Sequence, residues 1–324
     1  MENPTRNFLF PRFSLTIFGI VTLFAIVYLQ LIYVRCQAEP NGDDMLPSDY
    51  AKLLPLHLKL GKPRSGDWLK QHYELGQTYQ QYLHCHPVRA DERRTIYVQP
   101  LGEMNPTQKR IVDLAAEFLG VYYQLPVTVR KNLPLNAVPT TARRQKDDSD
   151  HEQILTTYVL EKVLKPRLPK DAVAMIAFTT YDLWPGIGWN YVFGQASWAD
   201  RVGVWSIHRY GDPDADANVF RFCLLRTLKT ATHETGHIFS MSHCTLYECN
   251  MCGSNHLGEA DRHPLEMCPH CLAKLCYATG AEPAKRFEQL IEFYRVNNLK
   301  VEREFCEKSL KAWNLPTSKR DAEE

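Results

Sequence analysis

Three histidines and one glutamate in the second half of the chain have the residue types and spacing that metal-assisted hydrolysis requires. They form the run His233-Glu234-x-x-His237, followed six residues later by His243. Residues four apart lie on one face of a helix, so His233 and His237 can direct two imidazoles at one cation. A third imidazole, from His243, can join them only if the chain turns back just after His237. Three protein nitrogens with an open fourth position form the ligand set of a catalytic zinc site. Glu234 is then placed beside the metal, where it can take a proton from a zinc-bound water.

Cysteines crowd into the segment that follows these histidines. The chain contains 10 cysteines, and the positions between 244 and 276 hold most of them at spacings typical of metal ligands rather than of a disulfide framework. Spacing alone favours Cys249-x-x-Cys252, followed after fifteen residues by Cys268-x-x-Cys271, which is a zinc-ribbon pattern. This interpretation predicts a second zinc site and leaves Cys244 free.

The overall composition is that of a globular protein. A chain of 324 residues can hold one large domain with extensions or two small domains, and a hydrophobic content of 44% is sufficient for a packed core. The 38 lysines and arginines nearly balance the 37 aspartates and glutamates. The charge balance therefore gives no reason to expect a nucleic acid as a partner.

The amino terminus contains an apolar segment. Residues 13–34 are 22 uncharged residues, mostly Ile, Leu, Val and Phe, which would extend about 33 Å as a helix and so cross a bilayer. We predict a transmembrane signal-anchor helix there, which would make the membrane a partner, with residues 1–12 as a short cytoplasmic tail. Arg6 and Arg12 precede the span, so the positive-inside rule places the catalytic domain on the lumenal or extracellular side. The alternatives are a signal peptide cleaved from a secreted protein, or a cytosolic protein.

Patterns of strand and helix alternate over much of the chain, which predicts an α/β domain with a mainly parallel sheet. Residues 37–66 are polar and interrupted by prolines and glycines, and we predict a stalk or loose N-terminal extension over residues 35–93. Apolar and β-branched runs predict strands at 94–101, 126–130, 172–180, 190–196 and 203–208. Helical periodicity predicts helices at 105–122, 151–164 and 283–298, and one long helix from residue 220 into the histidine motif. Residues 301–324 are predicted to form a C-terminal tail.

At residues 94–300 the chain resembles the archaemetzincins, a branch of the metzincin metallopeptidases. The resemblance is carried by the run His233-Glu234-x-x-His237-x5-His243-Cys244-x4-Cys249-x-Met251, by Cys268-x-x-Cys271, and upstream by Asp182-Leu183-Trp184-Pro185 and Arg209-Tyr210-Gly211. It implies a metzincin-like zincin fold with a mixed, mainly parallel sheet, a long active-site helix and a segment that binds a structural zinc through cysteines.

The resemblance also implies a role for each residue of the motif. Two zinc ions are expected: a catalytic ion bound by His233, His237 and His243, and a structural ion bound by Cys244, Cys249, Cys268 and Cys271. Glu234 would be the general base, and Met251 would lie in the turn beneath the catalytic metal. Consecutive residues of an extended backbone can point to opposite sides, so His243 and Cys244 can face different metals. The zinc-ribbon set with Cys252 in place of Cys244 remains the alternative.

One position departs from the family pattern. Metzincins usually have glycine three residues after the second histidine, where the helix ends in a sharp turn, and this chain has Ser240. If that position requires a positive φ, a non-glycine residue there is strained by about 1 kcal/mol. Such strain could displace His243.

These observations predict a zinc metallopeptidase that is aminopeptidase-like, as the resemblance implies, and that acts on short or unstructured peptides. Likeness to the metzincins further implies that residues 190–196 form the edge strand that binds an extended peptide substrate. The alternative is a catalytically degenerate, zinc-stabilised domain that binds peptides or protein partners, and Ser240 is the feature that favours it.

Overall fold

A computed structural model describes residues 46–145 and 152–315. A five-stranded sheet in the order β2-β1-β5-β8-β7 forms its centre, and a three-stranded sheet in the order β3-β4-β6 lies beside it. Four strands of the larger sheet are parallel, and β7 is antiparallel to β8 at the edge. The strands are β1 (Thr95–Leu101), β2 (Val127–Val129), β3 (Arg143–Gln145), β4 (Glu152–Leu155), β5 (Ala172–Thr179), β6 (Asp182–Trp184), β7 (Gly194–Ser197) and β8 (Val202–Ser206). The predicted mixed, mainly parallel sheet is confirmed.

Seven α-helices of six or more residues occur in the described part of the chain. They are α1 (Tyr79–His84), α2 (Pro106–Tyr123), α3 (Ala217–Ile238), α4 (Leu257–Arg262), α5 (Pro269–Thr279), α6 (Pro283–Val296) and α7 (Lys300–Trp313). Short helical turns occur at Ser48–Ala51, Leu54–Leu56, Trp68–Gln71, Leu135–Ala137, Thr140–Ala142, Lys165–Arg167 and His208–Tyr210.

The central strand β5 separates two hydrophobic layers. All eight of its residues are buried, which explains its continuous apolar sequence, since a parallel strand covered on both faces has no polar side. Ile176 and Phe178 belong to the core on the side of α2 and α3. Met175 and Ala177 belong to the core on the opposite face. The sheet is therefore a rigid support for the long helix α3.

Helix α3 carries the histidine motif, and its ends are defined by local chemistry. The side chain of Asp216 caps its amino terminus by accepting hydrogen bonds from the backbone N–H groups of Asn218 and Val219. Leu224 and Leu228 are fully buried against the sheet side. The helix ends at Ile238, so His233 and His237 both lie in its last two turns, as predicted.

The expected helix over residues 151–164 is only partly present. Glu152–Leu155 forms strand β4, which pairs antiparallel with β3 and parallel with β6. Helix begins only at Thr156–Tyr158 and continues as a π-helix at Val159–Leu164. The apolar residues at positions 154, 158, 159 and 163 do have helical spacing, but pairing of Glu152–Leu155 between two other strands overrides that local preference.

Segments expected to lie outside the domain pack into it. Leu53 and Tyr82, within the region interpreted as a loose stalk, belong to the main core and are at most 1% exposed. Cys306 is fully buried in helix α7, where a tail was predicted. The description of a stalk therefore does not apply to residues 46–93, nor that of a tail to Lys300–Trp313.

The prediction of a membrane protein needs correction. Within residues 46–145 and 152–315, no helix is sufficiently long and apolar to cross a membrane. The longest described helix, α3, carries charged side chains that include Arg221, Arg226 and Lys229. The apolar segment 13–34 that prompted the prediction lies outside the described residues. We therefore do not retain the membrane as a partner or the single-pass localisation.

Candidate metal centres and active-site cleft

The three histidines of the motif converge on one point. One ring nitrogen from each of His233, His237 and His243 lies within 4.8 Å of the other two. The Nε2 atoms of His233 and His237 are 3.1 Å apart. The structure thus brings together the three imidazoles that sequence spacing had only proposed, including the one that lies beyond the end of helix α3.

Each of these imidazoles is oriented through its other nitrogen. Nδ1 of His233 is 2.8 Å from the backbone oxygen of Asn250, and Nδ1 of His237 is 2.7 Å from that of Met241. Nδ1 of His243 lies 2.9 and 3.0 Å from the two carboxylate oxygens of Glu74. A carbonyl or carboxylate oxygen only accepts, so each Nδ1 is the donor and each Nε2 keeps a lone pair directed at the shared point. This is the arrangement that a zinc ion requires.

The charge state of the histidines also suits a cation. Burial, together with the proximity of the other imidazoles, lowers the pKa of His233 well below its usual value. Burial and the neighbouring His243 lower the pKa of His237 to about 4. Both rings are therefore neutral at neutral pH, and only the neutral imidazole can bind a metal.

The side chain of Glu234 extends from helix α3 toward the edge strand β7. A side-chain carbon added to Gly194 of β7 would lie 3.1 Å from Cγ and 3.3 Å from Cδ of Glu234. Burial raises the pKa of this carboxyl to about 8. The absence of a side chain at position 194 therefore leaves the room in which the Glu234 carboxyl reaches the cleft beside the histidines.

The turn after helix α3 has the conformation that the sequence analysis anticipated. Ser240 has a φ of 67°, so it occupies the left-handed region that favours glycine. Its hydroxyl accepts a hydrogen bond from the backbone N–H of Val88 at 3.1 Å, and its carbonyl accepts one from Nε2 of Gln77 at 3.3 Å. The departure from glycine does not displace His243 from the cluster, because residues from the amino-terminal side of the domain hold the turn.

Four cysteines, the first of which directly follows His243, form a second cluster. The sulfur atoms of Cys244, Cys249, Cys268 and Cys271 lie within 4.8 Å of one another, and all four residues are buried. The thiol of Cys252 instead donates to the backbone oxygen of Tyr247 at 3.2 Å. The geometry therefore groups the cysteines of the family pattern and leaves out Cys252 of the zinc-ribbon alternative.

The cysteine cluster has the electrostatics of a site for a soft cation. The sulfur of Cys249 accepts hydrogen bonds from the backbone N–H groups of Cys268 at 3.2 Å and Met251 at 3.5 Å. Hydrogen bonds from Cys249 and its neighbours lower the pKa of Cys244, whereas burial raises that of Cys249. One thiolate is thus favoured, but four would repel one another unless a divalent cation such as zinc neutralised them.

Met251 connects the two clusters. It is fully buried, and a side-chain carbon at Gly236 would lie 2.5 Å from its sulfur. Its backbone oxygen accepts a hydrogen bond from the N–H of Cys244 at 2.8 Å. Met251 therefore packs against helix α3 at Gly236, between His233 and His237.

A third group of potential ligands is already satisfied by protein contacts. It consists of Asp67, His256 and Glu259. The carboxylate of Asp67 pairs with the guanidinium of Arg262 at 2.6 Å, and that of Glu259 accepts the backbone N–H of Trp68 at 3.0 Å. These contacts fasten the amino-terminal segment to helix α4, and they account for the cluster without a metal.

The histidine cluster and Glu234 lie on the floor of a cleft of about 770 Å³. One wall consists of strand β7 and the aromatic loop before it, with Trp189, Tyr191 and Phe193. The opposite wall comes from the amino-terminal segment and includes Trp68, Gln77 and Val88. The mostly apolar walls and polar floor are typical of a site that binds an extended organic substrate.

The fold and the two clusters together define a class of protein. A mainly parallel sheet supports a long helix with two histidines and a glutamate, a sharp turn adds a third histidine, and a cysteine cluster follows directly. This is the architecture of a zinc metallopeptidase.

Comparison with known sequences gives the family. The sequence profile of peptidase family M54 matches residues 101–276. Archaemetzincin-2 of Macaca fascicularis and that of Homo sapiens are each 34% identical over 260 residues, which is 70% of this chain and 71% of theirs. The crystal structure of archaemetzincin from Methanopyrus kandleri is 27% identical, with a TM-score of 0.46, and the match covers 59% of this chain and 97% of that one. The chain belongs to peptidase family M54, the family of the archaemetzincins, and is a zinc metallopeptidase.

Sequence reasoning missed the residues that orient the histidines. Glu74 is 169 positions before His243 and lies in a polar segment without periodicity, so no local pattern points to it. The carbonyls of Asn250 and Met241 act through the backbone, and their side-chain types therefore carry no signal.

Proposed function

We propose that this chain hydrolyses peptide bonds with a catalytic zinc bound by His233, His237 and His243 and with Glu234 as the general base. The proposal rests on the convergence of three Nε2 atoms. Each Nε2 is free to bind a metal, because Nδ1 of the same ring donates to an acceptor. Glu234 follows directly after the first histidine and lines the same cleft, which places a carboxyl where an attacking water must lose its proton.

The chemistry divides between the ion and the chain. When bound, zinc supplies a Lewis acid that polarises the scissile carbonyl and acidifies the attacking water toward a pKa of about 7. Glu234 accepts the proton of that water and returns it to the leaving amine. Burial places the pKa of the Glu234 carboxyl at about 8 in the metal-free chain. A carboxyl with a pKa in this range can both accept and release a proton near neutral pH.

We further propose that an extended peptide binds along strand β7. This strand is the edge of the larger sheet and pairs there only with β8 among the described strands. An exposed edge can accept a peptide as an additional strand, and Gly194 places the end of β7 next to Glu234. An aminopeptidase-like preference is carried over as a proposal from the resemblance to the family.

The second proposed ion is structural. Cys244, Cys249, Cys268 and Cys271 would hold it, because their sulfurs converge in a buried, closed cluster. His243 and Cys244 are consecutive, so this ion would fix the backbone that delivers the third histidine. The count of two zinc ions per chain follows from these two clusters.

Two variants test the proposal. Glu234→Gln should retain both zinc ions and lose at least about a hundredfold in peptide turnover, the lower range for general acid–base catalysis. A variant that cleaves peptides as fast as the parent would rule out Glu234 as the base. In elemental analysis, His243→Ala should reduce the zinc content from two ions to about one. An unchanged zinc content would contradict the histidine ligand set.

The alternative of a catalytically degenerate binding domain rested on Ser240. That residue does adopt the strained conformation, but His243 remains within the histidine cluster. The observation that prompted the alternative therefore no longer favours it.

A further inference from the structure

The three histidines differ in what holds them. Backbone oxygens of Asn250 and Met241 accept the Nδ1 hydrogens of the two helical histidines, and both oxygens lie within 17 residues of them in sequence. His243 is held by a side chain, the carboxylate of Glu74, from a part of the chain 169 residues earlier. The third histidine thus depends on a long-range contact that the other two do not need.

His243 also needs such support more than the others. It lies on an irregular segment after the turn at Ser240, so no helix sets the direction of its ring. The glutamate approaches Nδ1 with both oxygens, at 2.9 and 3.0 Å, and the two side chains are only 17% and 15% exposed. Trp68 packs edge-on against the same imidazole, with 5.3 Å between the ring centroids. The ring is therefore fixed from two sides by the amino-terminal segment.

The backbone that leads to His243 is held by the same segment. The side chain of Gln77 bonds to the carbonyl of Ser240 and to the backbone N–H of Ser242, each at 3.3 Å. These contacts determine where the backbone lies, and the Glu74 contact determines which way the imidazole faces. The two roles can therefore be separated by mutation.

We propose that Glu74 is a positioning residue of the catalytic zinc site. Its carboxylate accepts the Nδ1 hydrogen of His243, directs Nε2 of that ring toward His233 and His237, and makes the imidazole a stronger ligand by drawing on its proton. This inference rests on the proposed histidine ligand set. Glu74 lies outside residues 101–276, the part of the chain that matches the family profile.

Zinc affinity of the full chain tests the proposal without reference to catalysis. Competition with a chromophoric chelator should show that Glu74→Ala lowers the affinity for one of the two zinc ions by about 10- to 100-fold. This is the usual effect of removing the carboxylate partner of a metal ligand. The other ion should keep its affinity. Glu74→Gln retains the shape and an acceptor oxygen without the charge, so its affinity should lie between those of the parent and Glu74→Ala. Cobalt(II) in place of zinc should show an altered visible absorption from the histidine site of Glu74→Ala.

The matched control is Thr78→Ala. Thr78 caps helix α1 in the same segment by accepting the backbone N–H of Gln81, so its loss loosens that segment without touching His243. Unchanged zinc affinity in this control, with weaker affinity in Glu74→Ala, supports a positioning role. Equal weakening in both variants overturns it in favour of a general structural role.

A further comparison separates this inference from the proposed function. If His243→Ala loses one zinc but Glu74→Ala binds both as tightly as the parent, the inference about Glu74 is overturned and the ligand set stands. If His243→Ala retains two zinc ions, the ligand set fails and the inference fails with it.

Discussion

The serine at the turn after helix α3 allows two opposing effects to be measured at one position. Ser240 has a φ of 67°, which costs a residue with a side chain on the order of 1–2 kcal/mol. The greater conformational freedom of glycine in the unfolded chain offsets about 0.4–1 kcal/mol of that cost. At this position a glycine variant should therefore have a free energy of unfolding on the order of 1 kcal/mol higher than that of an alanine variant. The hydrogen bond from Val88 N–H to the serine hydroxyl contributes about 0.5–1.5 kcal/mol.

These magnitudes predict the order of three proteins. Ser240→Ala keeps the strain and loses the hydrogen bond, so its free energy of unfolding should fall by about 1 kcal/mol. Ser240→Gly loses the same bond but relieves the strain, so it should lie within roughly 0.5 kcal/mol of the parent. Urea unfolding of the zinc-loaded protein, followed by circular dichroism, measures both differences.

A control pair is available at Asn298, which also has a positive φ, of 56°, outside the metal region. The free energy of unfolding of Asn298→Gly should again exceed that of Asn298→Ala by about 1 kcal/mol. If Ser240→Ala is as stable as Ser240→Gly while the Asn298 pair shows the expected difference, the assignment of backbone strain to position 240 is refuted.

Three further predictions concern the edge strand beside Glu234, the cysteine cluster, and the buried ion pair between Asp182 and Arg209. Gly194→Ala should lower peptide turnover about tenfold or more with unchanged zinc content, because its new carbon crowds the general base at 3.1 Å. Cys268→Ser should lose one zinc in elemental analysis and Cys252→Ser none, since only the first belongs to the four-sulfur cluster. Asp182→Asn should cost about 2–3 kcal/mol of unfolding free energy at pH 7, because the buried carboxylate accepts two hydrogen bonds from Arg209.

The last prediction has a defined pH dependence. Burial alone would raise the pKa of the Asp182 carboxyl, but hydrogen bonds from Arg209 and Gln153 hold it below the usual value of 3.8. The stabilisation is therefore complete above about pH 4 and is lost as the pH falls through the lower native pKa. Urea titrations at pH 7 and pH 3 should show that the difference between parent and Asp182→Asn shrinks at the lower pH.

Each of the three grouped predictions has an outcome that would contradict it. Parental turnover in Gly194→Ala would mean that the general base does not need the space above β7. Loss of zinc from Cys252→Ser would restore the zinc-ribbon set. A difference for Asp182→Asn that is equal at both pH values would mean that its charge does not contribute to stability.

Local sequence patterns predicted those parts of the fold that depend only on residues close together in the chain. The i, i+4 spacing of His233 and His237 required only a helix, and the apolar run at Ala172–Thr179 required only burial on both faces. The strand Glu152–Leu155 was missed, because its pairing with residues 143–145 and 182–184 is absent from local periodicity. Glu74 was missed for the same reason: its partner is fixed by tertiary packing.

The N-terminal segment shows the same limit at a larger scale. Residues 46–93 have the prolines, glycines and polar residues of a loose linker, yet Leu53 and Tyr82 are buried in the core. A few apolar side chains within a polar segment determine this packing. The composition of the whole segment does not reveal them, because the polar residues outnumber them. The residues of the sequence motif were predictable, whereas those that hold the motif in place were not.

The position of strand β1 determines how much of the chain can fold independently. Thr95–Leu101 lies between β2 and β5, so a fragment that began at residue 101, where the family profile begins, would leave both neighbouring strands with open edges. Such edges promote association between copies rather than folding. Leu53 at one end and Cys306 at the other are both buried in the same core. We therefore expect the autonomous folding unit to extend at least between these two residues, well beyond the segment that carries the ligands.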